Sequence, residues 1–459
     1  MDDFLAKLIE NAEEAGYKMY LVGGSMRDEL MGREIHDYDL TTDAPVPVIK
    51  VILEAAHPDS LFTLGEKFGT ISAIVDGTTV EVTTLRAQSE ADSKGSSDPQ
   101  DAVRKLHADL AHRDFTVNAI ARNLHTGDLY DPFEGQLHIK HKLIQGVDKP
   151  EDRFREDPLR MLRAVRLAVQ LEFYLDRDTK EAIKSQASLL KEVAWERIGD
   201  ELDKMLLANT PSEAINGLDS LGLLPYTIPE LLAMHEMERG AYHYKEVYPH
   251  TLKVLDRTPP DIVLRWAGLL HDVAKPATYG ITDGEVHFFG HDRLGARMAR
   301  SILSRLKRPT EVIEPVLQLI AEHLRIGVYD ESWTDGAVRR FIRETAPVTE
   351  QLFELSRADI TSQRAQRVAA ALARVDALYE RCEQIKAEED VEKLHSPLDG
   401  HDLMRIFGGS PGRWIGEIKD YLLGLVLDGA LSQDDQEQGE RLAREYVGQH
   451  PELRISGGT

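Results

Sequence analysis

The chain has 459 residues, too many for one hydrophobic core, and reads as about three or four domains. A single cysteine, Cys382, excludes a disulfide framework and a thiolate metal cluster and fits a reducing compartment. A net charge of −24 argues against a protein that coats nucleic acid, which would need a Lys and Arg excess. Charge is local, however. Between Lys140 and Arg166 eight basic residues face five acidic ones, a local strip suited to meeting phosphates at one place. The N-terminal MDDFLAKLIENAEEAG is acidic and amphipathic, unlike a signal peptide, and no run approaches the roughly 18 apolar residues of a membrane span. These features predict a soluble, cytoplasmic protein with no membrane partner, and leave monomer and homodimer open.

In chain order, residues 19–43, MYLVGGSMRDELMGREIHDYDLTTD, carry the densest signal. MYLVG reads as a short buried strand, Gly23-Gly24 as a tight turn, and SMRDELMG as a helix whose N-terminal amides suit phosphate oxygens. In the next strand, a period of two places Asp37 and Asp39 on one face and Tyr38 and Leu40 on the other. Two aspartates so placed are either solvated surface groups or the seat of hard divalent cations. Combined with a phosphate cradle, they point to nucleotidyl transfer. GTISAIV and TTVEVTTLR flank Asp76-Gly77, a hairpin signal, and put Glu81 beside the aspartates, as a third acidic partner or a solvated strand residue. Strand-like alternation dominates to about residue 138. Residues 87–107 lack a period and read as a mobile loop; HRDFTVNAIA reads as a helix or helix entry presenting Arg113, Asp114 and Asn118, with a polar helix start capped by Asp114 as the bland alternative. From about residue 150 the pattern is helical.

GGSMRD followed by HDYDL resembles the class II tRNA nucleotidyltransferase and bacterial poly(A) polymerase superfamily, which includes the enzymes that build or repair the 3′ CCA end of tRNA. GEKFGTISAIVDGTTVEVTTLR, HRDFTVNAIA, REDPLRMLRAVRLAVQLEF and ERIGDEL follow in that family's order. The resemblance implies an α+β fold: a small mixed α/β nucleotidyltransferase head of polymerase-beta-like type at 1–138, then an elongated all-α remainder. That remainder would comprise a neck that reads the base and binds RNA at 139–225, an HD body at 226–375 and a tail contacting tRNA at 376–459. It implies that Asp37 and Asp39 hold Mg²⁺, that Gly23, Gly24 and Arg27 hold the triphosphate, and that Arg113, Asp114 and Asn118 contact the nucleotide. His112 stands where many relatives carry a second Arg.

In Glu156-Asp157-Pro158-Leu159-Arg160, Pro158 fits a first helical position and Asp157 an N-cap, so a structural cap is one reading. The other uses spacing: Asp157 and Arg160, three apart on a helix, would present an acceptor beside a donor. Such a pair matches cytosine and adenine and leaves buried groups unpaired with uracil or guanine, so no nucleic-acid template is needed. Arg163 and Arg166 continue that helix toward phosphates or pair with neighbouring acids.

His250, His271-Asp272, His291, His323 and Asp359 lie in apolar helical settings with Lys275 after the doublet, an order that resembles the HD superfamily of metal-dependent phosphohydrolases. The resemblance implies that His250, His271, Asp272 and Asp359 ligate a metal, with His291 and His323 matching the extra histidines of binuclear members; the alternative is an inactive scaffold. Imidazole with carboxylate suits a transition metal such as Ni²⁺ or Mn²⁺. Near the C-terminus GGSPG reads as a turn opening a helix, with Arg413 nearby, that meets an RNA phosphate or merely joins two helices. The predicted activity is template-independent addition of the CCA end, the tRNA 3′-hydroxyl attacking CTP and ATP. Alternatives are CC or A addition only, poly(A) polymerisation, and RNA-repair phosphohydrolysis.

Overall fold

The structure is a computed structural model that describes residues 1–63, 65–85, 99–239, 247–362, 364–388, 390–453 and 455. The chain divides into two compact units, Met1–Pro229 and Glu230–Thr459.

The first unit opens with α1 (Asp2–Glu14), β1 (Met19–Val22), α2 (Gly23–Leu30), β2 (Asp37–Thr42), α3 (Val46–Ala55), β3 (Ser60–Phe62), β4 (Thr70–Val75), β5 (Thr78–Thr84), α4 (Pro99–Ala111), β6 (Ala121–Asn123), β7 (Leu129–Tyr130) and α5 (Gly135–Lys140). Seven strands form one sheet in the order β3-β4-β5-β2-β1-β6-β7, in which β2 and β5 run parallel and the other neighbours antiparallel. Asp76-Gly77 makes the expected hairpin turn, with φ of 51° and 77°. β1 is buried on both faces: Met19 and Leu21 join the larger core, with Leu8, Leu40, Leu53 and Val82, while Tyr20 and Val22 pack with Leu106 and Leu110. Covering both faces of β1 leaves its end as a rigid base for the turn at Gly23.

The unit continues with β8 (Leu143–Ile144), α6 (Pro150–Glu156), α7 (Arg160–Leu171), β9 (Tyr174–Leu175), α8 (Arg177–Gln186), α9 (Trp195–Leu206) and α10 (Pro211–Ser220). Apolar residues every three or four positions on α7 (Met161, Leu162, Val165) and α9 (Ile198, Leu202, Met205) are buried, and α7 packs on α9 and α10.

The second unit contains α11 (Glu230–Arg239), α12 (Val247–Arg257), α13 (Ile262–Leu270), α14 (Lys275–Thr278), β10 (Gly280–Thr282), β11 (Glu285–His287), α15 (His291–Arg305), α16 (Thr310–Glu322), α17 (Asp335–Thr345), α18 (Thr349–Asp359), α19 (Ala365–Glu388), α20 (Gly400–Phe407), α21 (Arg413–Leu427) and α22 (Gln436–Gln449). α13 packs on α12, α16 and α18, and α15 packs on α16. A separate core around Leu403, Trp414, Ile418, Leu422 and Ala443 joins the last three helices. No helix among the described residues is long and apolar enough to cross a membrane.

Four local expectations change. HRDFTVNAIA forms a single 3₁₀ turn, Thr116–Asn118, and then strand β6, because its backbone is taken by strand partners on both sides of the turn: Phe115 bridges Gly146, the Thr116 amide donates to the Gln145 carbonyl, and Ala121 pairs with Val22 of β1. Residues 99–107 of the expected mobile loop belong to α4, whose Leu106 and Leu110 anchor it to the sheet; residues 86–98 lie outside the described residues. α7 starts at Arg160 rather than Pro158, although Asp157 still accepts from the Leu159 amide at 3.2 Å. The region after 150 is not helical throughout: β8 pairs with β9, and β10 with β11. The turn Gly408–Gly412 does precede a helix, α21, as expected.

Candidate active site and metal centre

In the first unit, the turn after β1 puts Gly23 at φ +69°. A side chain there would be strained and would place its Cβ 2.9 Å from both Arg113 Nη1 and Asp39 Oδ2. Glycine thus lets the start of α2 approach the carboxylate, and the Gly24 amide donates to it. Ser25 Oγ accepts from the Asp39 amide and donates to the Asp37 carbonyl, both at 2.8 Å, stapling α2 to β2. The parallel β2–β5 register sets Asp39 beside Glu81 and Asp37 beside Thr79, so Asp37, Asp39 and Glu81 share one face of the sheet. Glu81 is exposed and accepts weakly from Ser72 Oγ at 3.4 Å.

Burial pushes the Asp39 carboxyl above its ordinary value, and Asp37 adds to this; Arg113, the Gly24 amide and Arg27 offset only part. A carboxylate whose charge is under-compensated, next to a second and near a third, is an oxygen seat suited to a hard divalent cation such as Mg²⁺.

Behind this face runs a chain of polar contacts. Arg27 forks onto Asp28 through Nε (2.9 Å) and Nη2 (2.8 Å) and donates from Nη1 to Asn118 Oδ1 (2.8 Å). Asn118 Nδ2 donates to Asp114 Oδ1 (3.1 Å), and Arg163 closes on Asp114 Oδ2 through Nε (2.8 Å) and Nη2 (2.7 Å). Burial would raise the Asp114 carboxyl, but Arg163, Asn118 and the Phe115 amide together hold it below the usual range. Arg166 pairs with buried Glu201 at 2.7 Å. Gly24, Arg27, Asp39, Asn118, Arg163 and Arg166 line one cavity of about 550 Å³, to which Arg33 and His36 also contribute. Arg113 sits at its edge by Gly23 and pairs with Asp109 at 3.3 Å, while its buried Nε has no partner. Such a donor set fits a triphosphate.

Asp157 and Arg160 do not line this cavity. Asp157 is held by Arg197 through two contacts, 2.8 and 3.3 Å. Arg160 donates to the His112 carbonyl (2.7 Å), Glu156 (3.0 Å) and the Arg153 carbonyl (3.3 Å). Residue-type reasoning passed over Ser25, Asp28, Arg197 and Glu201. Glu201 alone left a trace, as an acid between Ile198 and Leu202 on the apolar face of α9.

In the second unit, α12, α13, α15, α16 and α18 bring six residues together. His271, His291 and His323 each present Nδ1 to the carbonyl three residues earlier, Gly268, Phe288 and Ile320, at 2.9, 2.7 and 2.6 Å, and His250 Nδ1 faces Thr361 Oγ1 at 2.7 Å. With Nδ1 committed, all four Nε2 atoms turn inward. Nε2 of His250 and His271 lie 3.3 Å apart, and those of His291 and His323 3.2 Å apart. Asp272 joins the two pairs: Oδ2 lies 3.2 Å from His271 and 3.6 Å from His250, and Oδ1 lies 3.5 Å from His291, buried and without a hydrogen bond. Asp359 Oδ1 completes the first pair, 2.8 Å from His250, and Lys275 holds Asp272 at 2.7 Å.

Burial opposes charge on His271, yet Asp272 and Asp359 outweigh it and raise the imidazole to about 10. Burial and neighbouring His271 push His323 down to about 4. The two carboxylates thus attract positive charge to the centre of the cluster, a proton on His271 or a cation in its place, while His323 stays neutral with its Nε2 lone pair available. His250–His271–Asp272 and Asp272–His291–His323 each converge closely enough to hold an ion, so the residues fit one or two transition metals.

A family model for the Poly A polymerase head domain matches residues 19–145, one for the probable RNA and SrmB-binding site of polymerase A residues 172–234, and one for the HD domain residues 240–371. Nucleotidyltransferase heads and HD domains generally use divalent metals. The chain is 33% identical over 413 residues to the A-adding tRNA nucleotidyltransferase of Deinococcus radiodurans, covering 87% of this chain and 89% of that one. It is 31% identical over 431 residues to the CCA-adding enzyme of Geobacillus kaustophilus, covering 94% and 93%. The solved structure of the Bacillus stearothermophilus CCA-adding enzyme in complex with CTP aligns over 99% of this chain and all of its own, with a TM-score of 0.69 and 25% identity. Because these likenesses run through both units and take in the Gly-Gly turn and carboxylate strands of the head, the chain belongs to the class II tRNA nucleotidyltransferases, the family of the CCA-adding enzymes.

Proposed function

We propose that this tRNA nucleotidyltransferase adds the whole CCA end, C then C then A, to tRNA in the cytoplasm without a nucleic-acid template. The observation that carries the chemistry is the in-register face of Asp37, Asp39 and Glu81 beside the Gly23 turn. Mg²⁺ at Asp37 and Asp39 would supply activation of the tRNA 3′-hydroxyl and charge neutralisation on the departing pyrophosphate. Gly23 gives the triphosphate room, the α2 amides with Arg27 and Arg113 bind it, and Asn118 and Asp114 orient these cations. Asp157 and Arg160 select the base once a nucleotide displaces their present partners, Arg197, Glu156 and the His112 carbonyl. The Arg163 and Arg166 side of the cavity receives phosphate or the tRNA end.

The division we assign is a head over 1–138, a neck over 139–225, an HD body over 226–375 and a tail over 376–459, with Arg413 near an RNA phosphate. The His-Asp cluster supports a second activity: hydrolysis of phosphoesters, such as a 2′,3′-cyclic phosphate on a damaged tRNA end, with Ni²⁺ or Mn²⁺. One observation favours a narrower transferase: the Deinococcus relative, matched along most of both chains, is named for A addition alone. Incorporation of single labelled nucleotides into tRNAs lacking one, two or three terminal residues separates the two readings.

A further inference from the structure

Between two residues of the His-Asp cluster, Asp272 and His291, the chain forms a small hairpin, β10–β11, and two residues past its end Phe289 is 79% exposed. Ile281 and Val286, also exposed, pair with one another on the other face of the ladder from His287. The exposed ring of Phe289 is held in place. Gly280 lies opposite His287 in the ladder, and a Cβ on it would come 2.3 Å from His287 Cε1, so glycine lets the imidazole lie flat on the backbone. Thr282 Oγ1 fixes the ring edge through Nε2 at 2.7 Å. On the other side Phe289 stacks on His287, with centroids 4.3 Å apart and planes 22° from parallel. Backbone, imidazole and phenyl form three layers, and the outer phenyl meets solvent.

The same segment orients the cluster. The Phe288 carbonyl receives His291 Nδ1, and Lys275, which pairs with Asp272, lies over the Phe288 ring. Phe289 and His291 are two residues apart, within about 7 Å of chain. A nucleotide spans such a separation between its base and its phosphate.

The geometry points to Phe289, backed by His287, as a stacking platform for a nucleobase whose phosphoester lies at the His-Asp cluster, so that this centre selects a nucleotide or RNA end over a simple sugar phosphate. A flat ring with no directional donor takes any base, which suits repair of RNA ends of varied sequence. This inference rests on the phosphohydrolase reading of the cluster.

The test uses the full chain with Mn²⁺ and adenosine 2′,3′-cyclic phosphate. Phe289→Ala should raise KM about tenfold, the size of a lost base stack, with kcat and bound Mn²⁺ little changed. Phe289→Trp should restore KM, and its added indole emission should be quenched by the cyclic nucleotide and not by inorganic phosphate. Unchanged KM in Phe289→Ala, with hydrolysis intact, overturns the platform and leaves the metal reading standing. If the unaltered chain hydrolyses nothing with any of a panel of metals, the phosphohydrolase reading fails and the Phe289→Trp emission alone decides: quenching upholds base binding, and its absence overturns it. A concentration-dependent dimer abolished by Phe289→Ala would also overturn it, since the ring would then serve self-association.

Discussion

Arg197 holds Asp157 in a two-point contact across forty residues of sequence, so the carboxylate assigned to base selection is already engaged by a guanidinium. Both side chains are substantially exposed, which limits the pair to about 0–1 kcal/mol of stability. Its breakage on nucleotide binding is therefore inexpensive. Asp157→Ala should lower C and A incorporation and relax rejection of U and G, whereas Arg197→Ala should keep selectivity because the carboxylate remains. Equal losses of thermal stability with unchanged selectivity in both variants would make Asp157 a structural residue.

Much of this site was legible because it is local. Gly23-Gly24 and the period-two spacing of Asp37 and Asp39 describe a turn and a strand face that neighbouring residues determine on their own. The pairing of Glu81 with Asp39 was half legible: alternation gives the face, but the parallel register comes from sheet closure. Arg197 and Glu201 were not assigned roles, since their partners Asp157 and Arg166 sit far away in sequence and meet them only through the packing of α9 against α7 and the turn before it. HRDFTVNAIA misled because its polar residues suit a helix start, while its backbone is claimed by distant strand partners, Gly146 and β1, that only the folded sheet brings to it. In the second unit single His residues carry little information, and it was their number and order that pointed to the cluster. The bridging role of Asp272 could be seen only in three dimensions.

Asp37→Ala or Asp39→Ala should cut nucleotide incorporation by more than about 100-fold, because the developing charge loses its main stabilisation. Glu81→Gln should cost about tenfold, as it sits in register with Asp39 but is exposed. Filter binding of tRNA should be nearly unaltered in all three. Activity within about tenfold of the unaltered protein in the Asp39 variant would remove the carboxylate assignment.

The buried Asp114 carboxyl is depressed in the fold, so its ionised form stabilises the head. That contribution is fully present above the unfolded value of about 3.9 and is lost as pH falls through the folded value. Asp114→Asn removes the strongest of the acids around Arg163, leaving Glu201 and Asp157; because Arg163 is partly exposed, the cost should be about 1–3 kcal/mol at pH 7. Urea midpoints should show this gap narrowing as pH drops below about 4. A gap constant down to pH 3 would mean that the carboxylate charge is not what stabilises the fold.

Phosphoester hydrolysis by the full chain should appear with Ni²⁺ or Mn²⁺, vanish with chelator, and be lost in His271→Ala, whose imidazole is buried at the centre of the cluster. Nucleotide incorporation by the same variant should be intact. Silence across a panel of metals, or hydrolysis indifferent to His271→Ala, would reduce the cluster to a structural knot.

The most direct test of the account is a product ladder on a tRNA transcript lacking all three terminal residues, with the purified chain, Mg²⁺, CTP and ATP. Stepwise products at C, CC and CCA, with no extension by UTP or GTP, are the predicted result. A ladder that stops at CC with ATP present, or a chain that extends only tRNA already ending in CC, would contradict complete CCA addition.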